Sequence, residues 1–392
     1  MEDQILKIVN ARFITPKGII CNHQLICQAG KIVEITDNNH DIPNAVILDA
    51  QGQYVAPGCI DTHIHGGGGH DFTEATAEAF YSIAEAHARQ GTTALYPTMA
   101  ATSTDVFYKA IDTCEQIMYK PANGARIMGL HLEGNYLNPV MKGGQEERYL
   151  HLPNPIEYQA LLNNTNCIKR WSASPELEGA LEFARYATDK GVLVSLAHTT
   201  ANYPLVRTAF DAGFRHATHF YNAMTGVHKE RECKQEGTIE AIYLMDDMTV
   251  ELVCDGIHVP SAILKLVYKV KGTEKIALIT DAMYASAWPD AEKEFNDPRF
   301  ILENGVCKFA DRSALTGSLA AGIRMIQVMV QQAEIPLIDA VRMASETPAR
   351  IMGIEHKKGS LATGKEADII IFDENFQVKT TIVEGKIIFQ QH

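Results

Sequence analysis

The 392-residue chain has no surplus of positive charge and no long apolar run, and each absence removes a class of function. Lys and Arg total 35 against 48 Asp and Glu, for a formal net charge of -13. Broad binding to nucleic acid or to an anionic membrane needs a basic field, so neither partner is expected. No apolar stretch approaches the ~18 residues needed for a membrane-spanning helix. The opening Met1-Glu2-Asp3-Gln4-Ile5 lacks a basic segment followed by an apolar one, so no secretory signal is expected. Eight cysteines, at 21, 27, 59, 114, 167, 233, 254 and 307, form neither a C-x-x-C pair nor a clustered framework. In a chain this long they read as reduced, mostly buried thiols and point to a cytoplasmic location. Internal repeats and low-complexity tracts are missing too.

What remains is a composition with 46% hydrophobic and 21% charged residues, enough for a large core. The first ~55 residues read as short strands with tight turns, such as Leu25-Ile26-Cys27-Gln28, Ala29-Gly30, then Lys31-Ile32-Val33-Glu34-Ile35. The last ~35 return to that texture, with Asp368 to Phe372, Thr381-Ile382-Val383 and Ile387-Ile388-Phe389 as strands. Neither end has enough apolar surface to stand alone, so residues 1–55 and 358–392 are expected to build one β-sandwich. Between them, apolar strands alternate with helical stretches, the pattern of a parallel sheet with crossover helices. Eight strands are expected at 58–65, 92–99, 126–134, 168–174, 192–199, 216–223, 249–256 and 275–282. Helices are expected at 75–90, 175–190 and 320–333, with an excursion at 290–312. Residues 56–357 therefore read as a (β/α)8 TIM-like barrel, a fold of ~250 residues or more with its active site at the carboxyl ends of the strands.

The residues at those ends carry chemistry. His63 and His65 end strand one, two apart and so on one face. His131 and Glu133 end strand three, His198 ends strand five, and His219 lies on strand six. Asp255 and His258 follow strand seven, and Asp281 ends strand eight. An H-x-H pair can be an ordinary strand pair, and His131 beside an apolar run reads as a satisfied core histidine. His216 has the wrong parity relative to His219 and is expected to face the helices. Glu133 and Asp281 resist such readings, because a buried unpaired carboxylate is costly. Together on one rim, these imidazoles and carboxylates suit a divalent ion such as zinc.

In order along the chain stand Ala56-Pro57-Gly58-Cys59-Ile60-Asp61-Thr62-His63-Ile64-His65, Gly129-Leu130-His131-Leu132-Glu133-Gly134, Ala197-His198-Thr199 and His216-Ala217-Thr218-His219-Phe220-Tyr221-Asn222-Ala223-Met224. Asp255-Gly256-Ile257-His258, Thr280-Asp281-Ala282 and Gly359-Ser360-Leu361 follow. This series resembles the amidohydrolase superfamily over nearly the whole chain, and within it the deacetylases of phosphorylated N-acetyl amino sugars. The resemblance implies that Glu133, His198 and His219 bind a principal metal ion. His63 and His65 would bind a second in members that use two, with Glu133 able to bridge. One or two divalent ions per subunit are therefore expected, zinc first, with iron, cobalt or manganese as alternatives. The carboxylated lysine of many relatives has no counterpart, because strand four ends Ser172-Ala173-Ser174-Pro175.

The implied reaction is hydrolysis of N-acetylglucosamine 6-phosphate, or of N-acetylgalactosamine 6-phosphate or another N-acyl amino sugar. A zinc-like ion lowers the pKa of water from 15.7 to about 7. Asp281 would take that water's proton and return it to the leaving amine, and His258 or the metal would stabilise the oxyanion. The resemblance implies further substrate contacts at Gly144, Gln145, Asn222, Ala223, Leu315, Gly317 and Arg231, with Arg231 reaching in from the neighbouring subunit of a homodimer. Backbone N–H groups near Asn222, ahead of a helix, would suit the phosphate. The chain departs from the family pattern where Asn135 replaces a proline, where Gln145 replaces a substrate-contacting histidine, and in the segment after Arg231-Glu232. A non-catalytic relative that merely binds a sugar phosphate would have lost a metal ligand or Asp281, and none is missing.

Overall fold

The computed structural model describes residues 4–37, 41–118, 120 and 123–391, so the opening Met1-Glu2-Asp3 lies outside the described residues. Eight parallel strands form a nearly closed barrel: Cys59–Ile64, Thr92–Ala100, Leu130–Glu133, Ile168–Ala173, Leu193–Leu196, Phe214–Ala217, Thr249–Val253 and Ile276–Ile279. They are counted below as strands one to eight. The ring closes where Ile64 bridges Ala282. There Asp281 N donates to His63 O (3.0 Å) and His65 N to Ala282 O (2.9 Å). Helices such as Ala77–Ala88, Ala180–Asp189 and Gly322–Gln331 lie where the periodicity placed them.

All the strands but strand two are shorter than expected, and most of the lost residues come from their carboxyl ends. Strand five stops at Leu196 and strand six at Ala217, so His198 and His219 stand in the turns beyond them. Strand three is interrupted instead at its start. Arg126–Ile127 pairs with strand two, and the ladder resumes at Leu130. Gly129 between them takes φ +127, and a Cβ there would fall 2.6 Å from Cys167 O. Only glycine allows this kink so close to the chain entering strand four. The excursion after strand eight carries the short helix Ala291–Glu294 and a three-stranded sheet of Phe300–Glu303, Val306–Phe309 and Leu315–Ser318.

Two further sheets come from the ends of the chain, the first from the amino end alone and the second from both. One orders Lys31–Thr36, Gln24–Gln28, Leu6–Val9 and Val46–Asp49. The other orders Lys386–Gln390, Val378–Val383, Ile369–Phe372, Tyr54–Pro57, Arg12–Thr15 and Gly18–Ile20. Their shared core takes Leu6, Ile8, Leu25 and Ile32 from the first sheet and Phe13, Val55, Ile369 and Ile382 from the second. Tyr54–Pro57 leads directly into strand one, so the sandwich anchors the start of the barrel. No helix among the described residues is long and apolar enough to cross a membrane.

Side chains of strand four alternate between the two faces. Trp171 turns outward and stacks on Tyr136 with ring centroids 5.3 Å apart. Arg170 turns inward, where its guanidinium forks onto fully buried Glu251 of strand seven at 2.5 and 2.9 Å. Thr62 O, Ser195 Oγ and Thr218 Oγ1 take its other N–H groups. Burial opposes ionisation of Glu251, but Arg170 and then His63 outweigh it and hold the carboxyl well below its usual range. Removing one partner of such a pair strands the other charge in the core. Arg170→Met should therefore cost about 3–5 kcal/mol, read as a lower urea midpoint; an unchanged midpoint would contradict the role of this pair in the barrel interior.

Candidate active site

At the barrel mouth, Glu133 is the point of convergence. Its Oε1 lies 2.9 Å from His219 Nε2 and 3.3 Å from His198 Nε2. Its Oε2 lies 3.2 Å from His65 Nε2 and 3.5 Å from His63 Nε2. The Nε2 atoms also face one another, 3.2 Å apart in the His63/His65 pair and 3.1 Å apart in the His198/His219 pair. Asp281 Oδ1 closes the group at 3.3 Å from His65 and 3.5 Å from His63.

Local backbone conformation aims these groups. His198, His219 and Asp281 sit just beyond their strands at φ +46, +30 and +50, a region disfavoured for residues with a Cβ. Such conformations persist only where the surroundings hold them. His198 Nδ1 donates to Met141 O (2.7 Å), and His219 Nδ1 to Asn222 O (3.1 Å). His63 Nδ1 donates to Glu251 Oε1 (2.7 Å), and His219 N donates to that same oxygen (3.0 Å). Beneath His63, Asp61 accepts from Thr280 Oγ1 at 2.5 Å.

These partners also decide what the site can hold. An acceptor at Nδ1 places the ring proton there and leaves Nε2 as a bare lone pair. For His63, His198 and His219 the bare nitrogens point at each other and at a carboxylate. That arrangement repels unless a cation sits among them, so the donor set fits a divalent metal ion. Two overlapping groups have the required spacing: His63, His65 and Glu133; and Glu133, His198 and His219. Without an ion the site must take up protons. Burial lowers the pKa of His63, but Glu133 and Glu251 outweigh it and push it up to about 9. His65 is likewise raised well above its usual value, with burial overcome by Asp281 and Glu133. Burial pushes Asp281 upward, yet His65 and His63 bring it down to about 2.

The cluster opens into a cleft of about 500 Å³. Gly144, Gln145, Asn222, Ala223, His258, Leu315 and Gly317 all line it, as do His65, Glu133, His198, His219 and Asp281. Arg231 does not. It is exposed at the tip of the hairpin formed by His228–Glu230 and Cys233–Gln235. The structure departs from the sequence expectation around Asn222 and at His216. The backbone N–H of Asn222 donates to His219 O (2.8 Å), and a hairpin rather than a helix comes next in the chain. His216 does not face the helices; its Nε2 lies 3.3 Å from Glu251 Oε2 in the barrel interior. Parity could not be counted from His216 to His219, because the strand ends at Ala217 and the backbone reverses at His219. His131 is satisfied by Thr98 Oγ1 (3.1 Å) and Ser172 Oγ (2.7 Å) and does not join the cluster.

Glu251 and Arg170 escaped the sequence reading. The signal was present, since Val250-Glu251-Leu252-Val253 sets a charge inside an apolar strand as surely as Leu132-Glu133 does.

The sequence matches the Amidohydrolase family over residues 54–388. It is 30% identical to the N-acetylgalactosamine-6-phosphate deacetylase of Escherichia coli O157:H7, covering 96% of this chain and 97% of that one. It is also 30% identical to the N-acetylglucosamine-6-phosphate deacetylase of Vibrio furnissii, over 85% and 82%. Among solved structures, the N-acetylglucosamine-6-phosphate deacetylase of Pasteurella multocida superposes with a TM-score of 0.91 at 28% identity, over 98% and 99% of the two chains.

The proton balance gives a test on metal-free protein. His63 is raised from 6.5 to about 9 by folding, so its contribution is fully present below about 6.5 and lost as pH rises through about 9. Asp281 is depressed from 3.8 to about 2, so its contribution is present above about 3.8 and lost as pH falls through about 2. The urea midpoint of metal-free protein should therefore decline between pH 6.5 and 9. The same decline in Asn-for-His63 protein would show that another group is responsible.

Proposed function

The chain belongs to the amidohydrolase family, and from that premise we propose that it is a metal-dependent deacetylase hydrolysing N-acetylglucosamine 6-phosphate to glucosamine 6-phosphate and acetate. The observation that carries this reading is the Glu133 carboxylate facing two histidine pairs with Asp281 beside them, at the floor of a cleft large enough for a sugar. Glu133, His198 and His219 would hold one divalent ion, and His63 and His65 with the other Glu133 oxygen would hold a second. A bound ion supplies Lewis acidity, which makes water a nucleophile at neutral pH and polarises the amide carbonyl.

Asp281 is the general base. Depressed to about 2, its carboxylate is ionised at neutral pH and free to accept the proton of the attacking water. It then passes that proton to the sugar nitrogen as the amide C–N bond breaks. His258 supplies the oxyanion donor. Burial lowers its pKa, but Asp255, 2.6 Å from its Nδ1, outweighs this and keeps the ring cationic more readily than usual. Its second nitrogen is left to meet the carbonyl oxygen as charge develops there.

For the sugar and phosphate, Gly144, Gln145, Asn222, Ala223, Leu315 and Gly317 supply the cleft wall. Arg231 is exposed and does not line this cleft, so a phosphate contact from its fork is assigned to a second copy, as a homodimer would supply. Zinc is the ion the nitrogen-rich donor set favours. All eight cysteines are unpaired, six of them buried, which supports a reducing cytoplasmic setting. A second substrate, N-acetylgalactosamine 6-phosphate, is favoured by the Escherichia coli relative.

Acetate release from the gluco and galacto epimers, each with and without the 6-phosphate, tests the assignment. One phosphorylated epimer should dominate, and turnover indifferent to phosphate would remove the role given to Arg231. Asp281→Asn should keep its metal and lose about 10²- to 10⁴-fold in kcat. Near-normal turnover in that variant would exclude Asp281 as the base.

A further inference from the structure

The loop that follows strand three touches the cluster at two points the mechanism does not use. Met141 O accepts from His198 Nδ1 at 2.7 Å. Four residues later, Gln145 Nε2 donates to Glu133 Oε2 at 2.8 Å, while Gln145 Oε1 accepts from Ala101 N at 2.8 Å just past strand two. Between them the chain runs against the histidine, for a Cβ on Gly143 would sit 3.4 Å from His198 Cε1.

The orientation of the Gln145 amide follows from its partners. A backbone N–H can meet only the oxygen, and an ionised carboxylate can meet only the NH2. The residue is 9% exposed, with both ends of its amide committed, and it spans from the end of strand two to the carboxylate of strand three. Glu133 needs such a tie. The terminal torsion of a glutamate is broad, yet this carboxylate must keep Oε1 toward His198 and His219 and Oε2 toward His63 and His65. Imidazoles that meet it through bare nitrogens, as His63, His198 and His219 do, do not fix that plane. A donor anchored on the barrel does.

We propose that Gln145 is a positioning residue, whose hydrogen bond to Glu133 Oε2 sets the carboxylate plane so that one oxygen faces each histidine pair, and which thereby governs how tightly the site retains a divalent cation. The inference rests on the metal-dependent reading above. It gives this position work on the ligand carboxylate, beyond any contact with the sugar.

Metal-free protein dialysed against Zn²⁺ in a chromophoric chelator, with bound zinc counted by elemental analysis, compares the unmodified chain with Gln145→Leu, Gln145→Met and Gln145→His. Two apolar variants are used so that misfolding of one leaves the other. Loss of the donor should weaken zinc binding about 10- to 100-fold, with the urea midpoint of the metal-free protein little changed. Histidine restores an N–H donor and should recover most of the affinity. Equal zinc affinity in all four proteins overturns the proposal, as does an equal loss in Gln145→His, which would show that only packing matters. If the unmodified chain releases acetate while retaining no zinc or other divalent ion, the metal-dependent reading fails and this inference with it. Tight zinc in both the unmodified and apolar variants sinks the inference alone.

Discussion

Imidazole lone pairs crowded around a buried carboxylate are the constraint around which the rest of the structure is arranged. Each Nδ1 proton of His63, His198 and His219 goes to a protein acceptor, so each Nε2 faces the centre bare. In a desolvated mouth such an assembly is relieved only by a cation or by protons taken up from solvent. The acceptors are therefore as much a part of the site as the rings. Glu251 does most, because one of its oxygens takes both the His63 ring and the His219 backbone N–H, tying two opposite sides of the barrel mouth to one carboxylate. Glu251 in turn depends on Arg170, the strongest influence opposing burial and keeping that carboxyl ionised.

Holding the cluster has a cost in backbone energy. Three of its members adopt left-handed φ without being glycine, at about 1–3 kcal/mol each. What offsets this is the parallel barrel itself, whose ladders run up to the residues concerned and leave the turns little freedom. The contacts between His63 O and Asp281 N and between His65 N and Ala282 O close the ring at the same place where they fix the base beside the first histidine pair. Closure of the fold and assembly of the site are one event at that seam.

Much of the site was legible because the chemistry contradicts the local texture. Glu133 and Asp281 terminate apolar strands where a carboxylate has no ordinary reason to be, and the histidines recur at the same ends of other strands. The same argument applied to Val250-Glu251-Leu252 would have exposed the buried ion pair. The miss at His216 has a different origin. Period-two counting holds only while the strand continues, and nothing in His216-Ala217-Thr218-His219 announces that the ladder stops after Ala217. The expectation of a helix directly after Ala223 failed for a similar reason, since a hairpin comes first.

Periodicity and composition were enough to specify eight βα units, a sandwich shared by the two ends, and the rim on which reactive groups would lie, because these depend on patterns within single segments. Which oxygen of Glu133 faces which histidines, that Gln145 meets that carboxylate, that Glu251 braces both sides, and that Arg231 lies outside the cleft lining came only from the folded chain. Each of these joins residues far apart in sequence, or depends on a turn whose sense no local pattern encodes. Ring closure and the turns beyond the strands bring those residues within hydrogen-bond range, and that proximity has no signature in the order of amino acids.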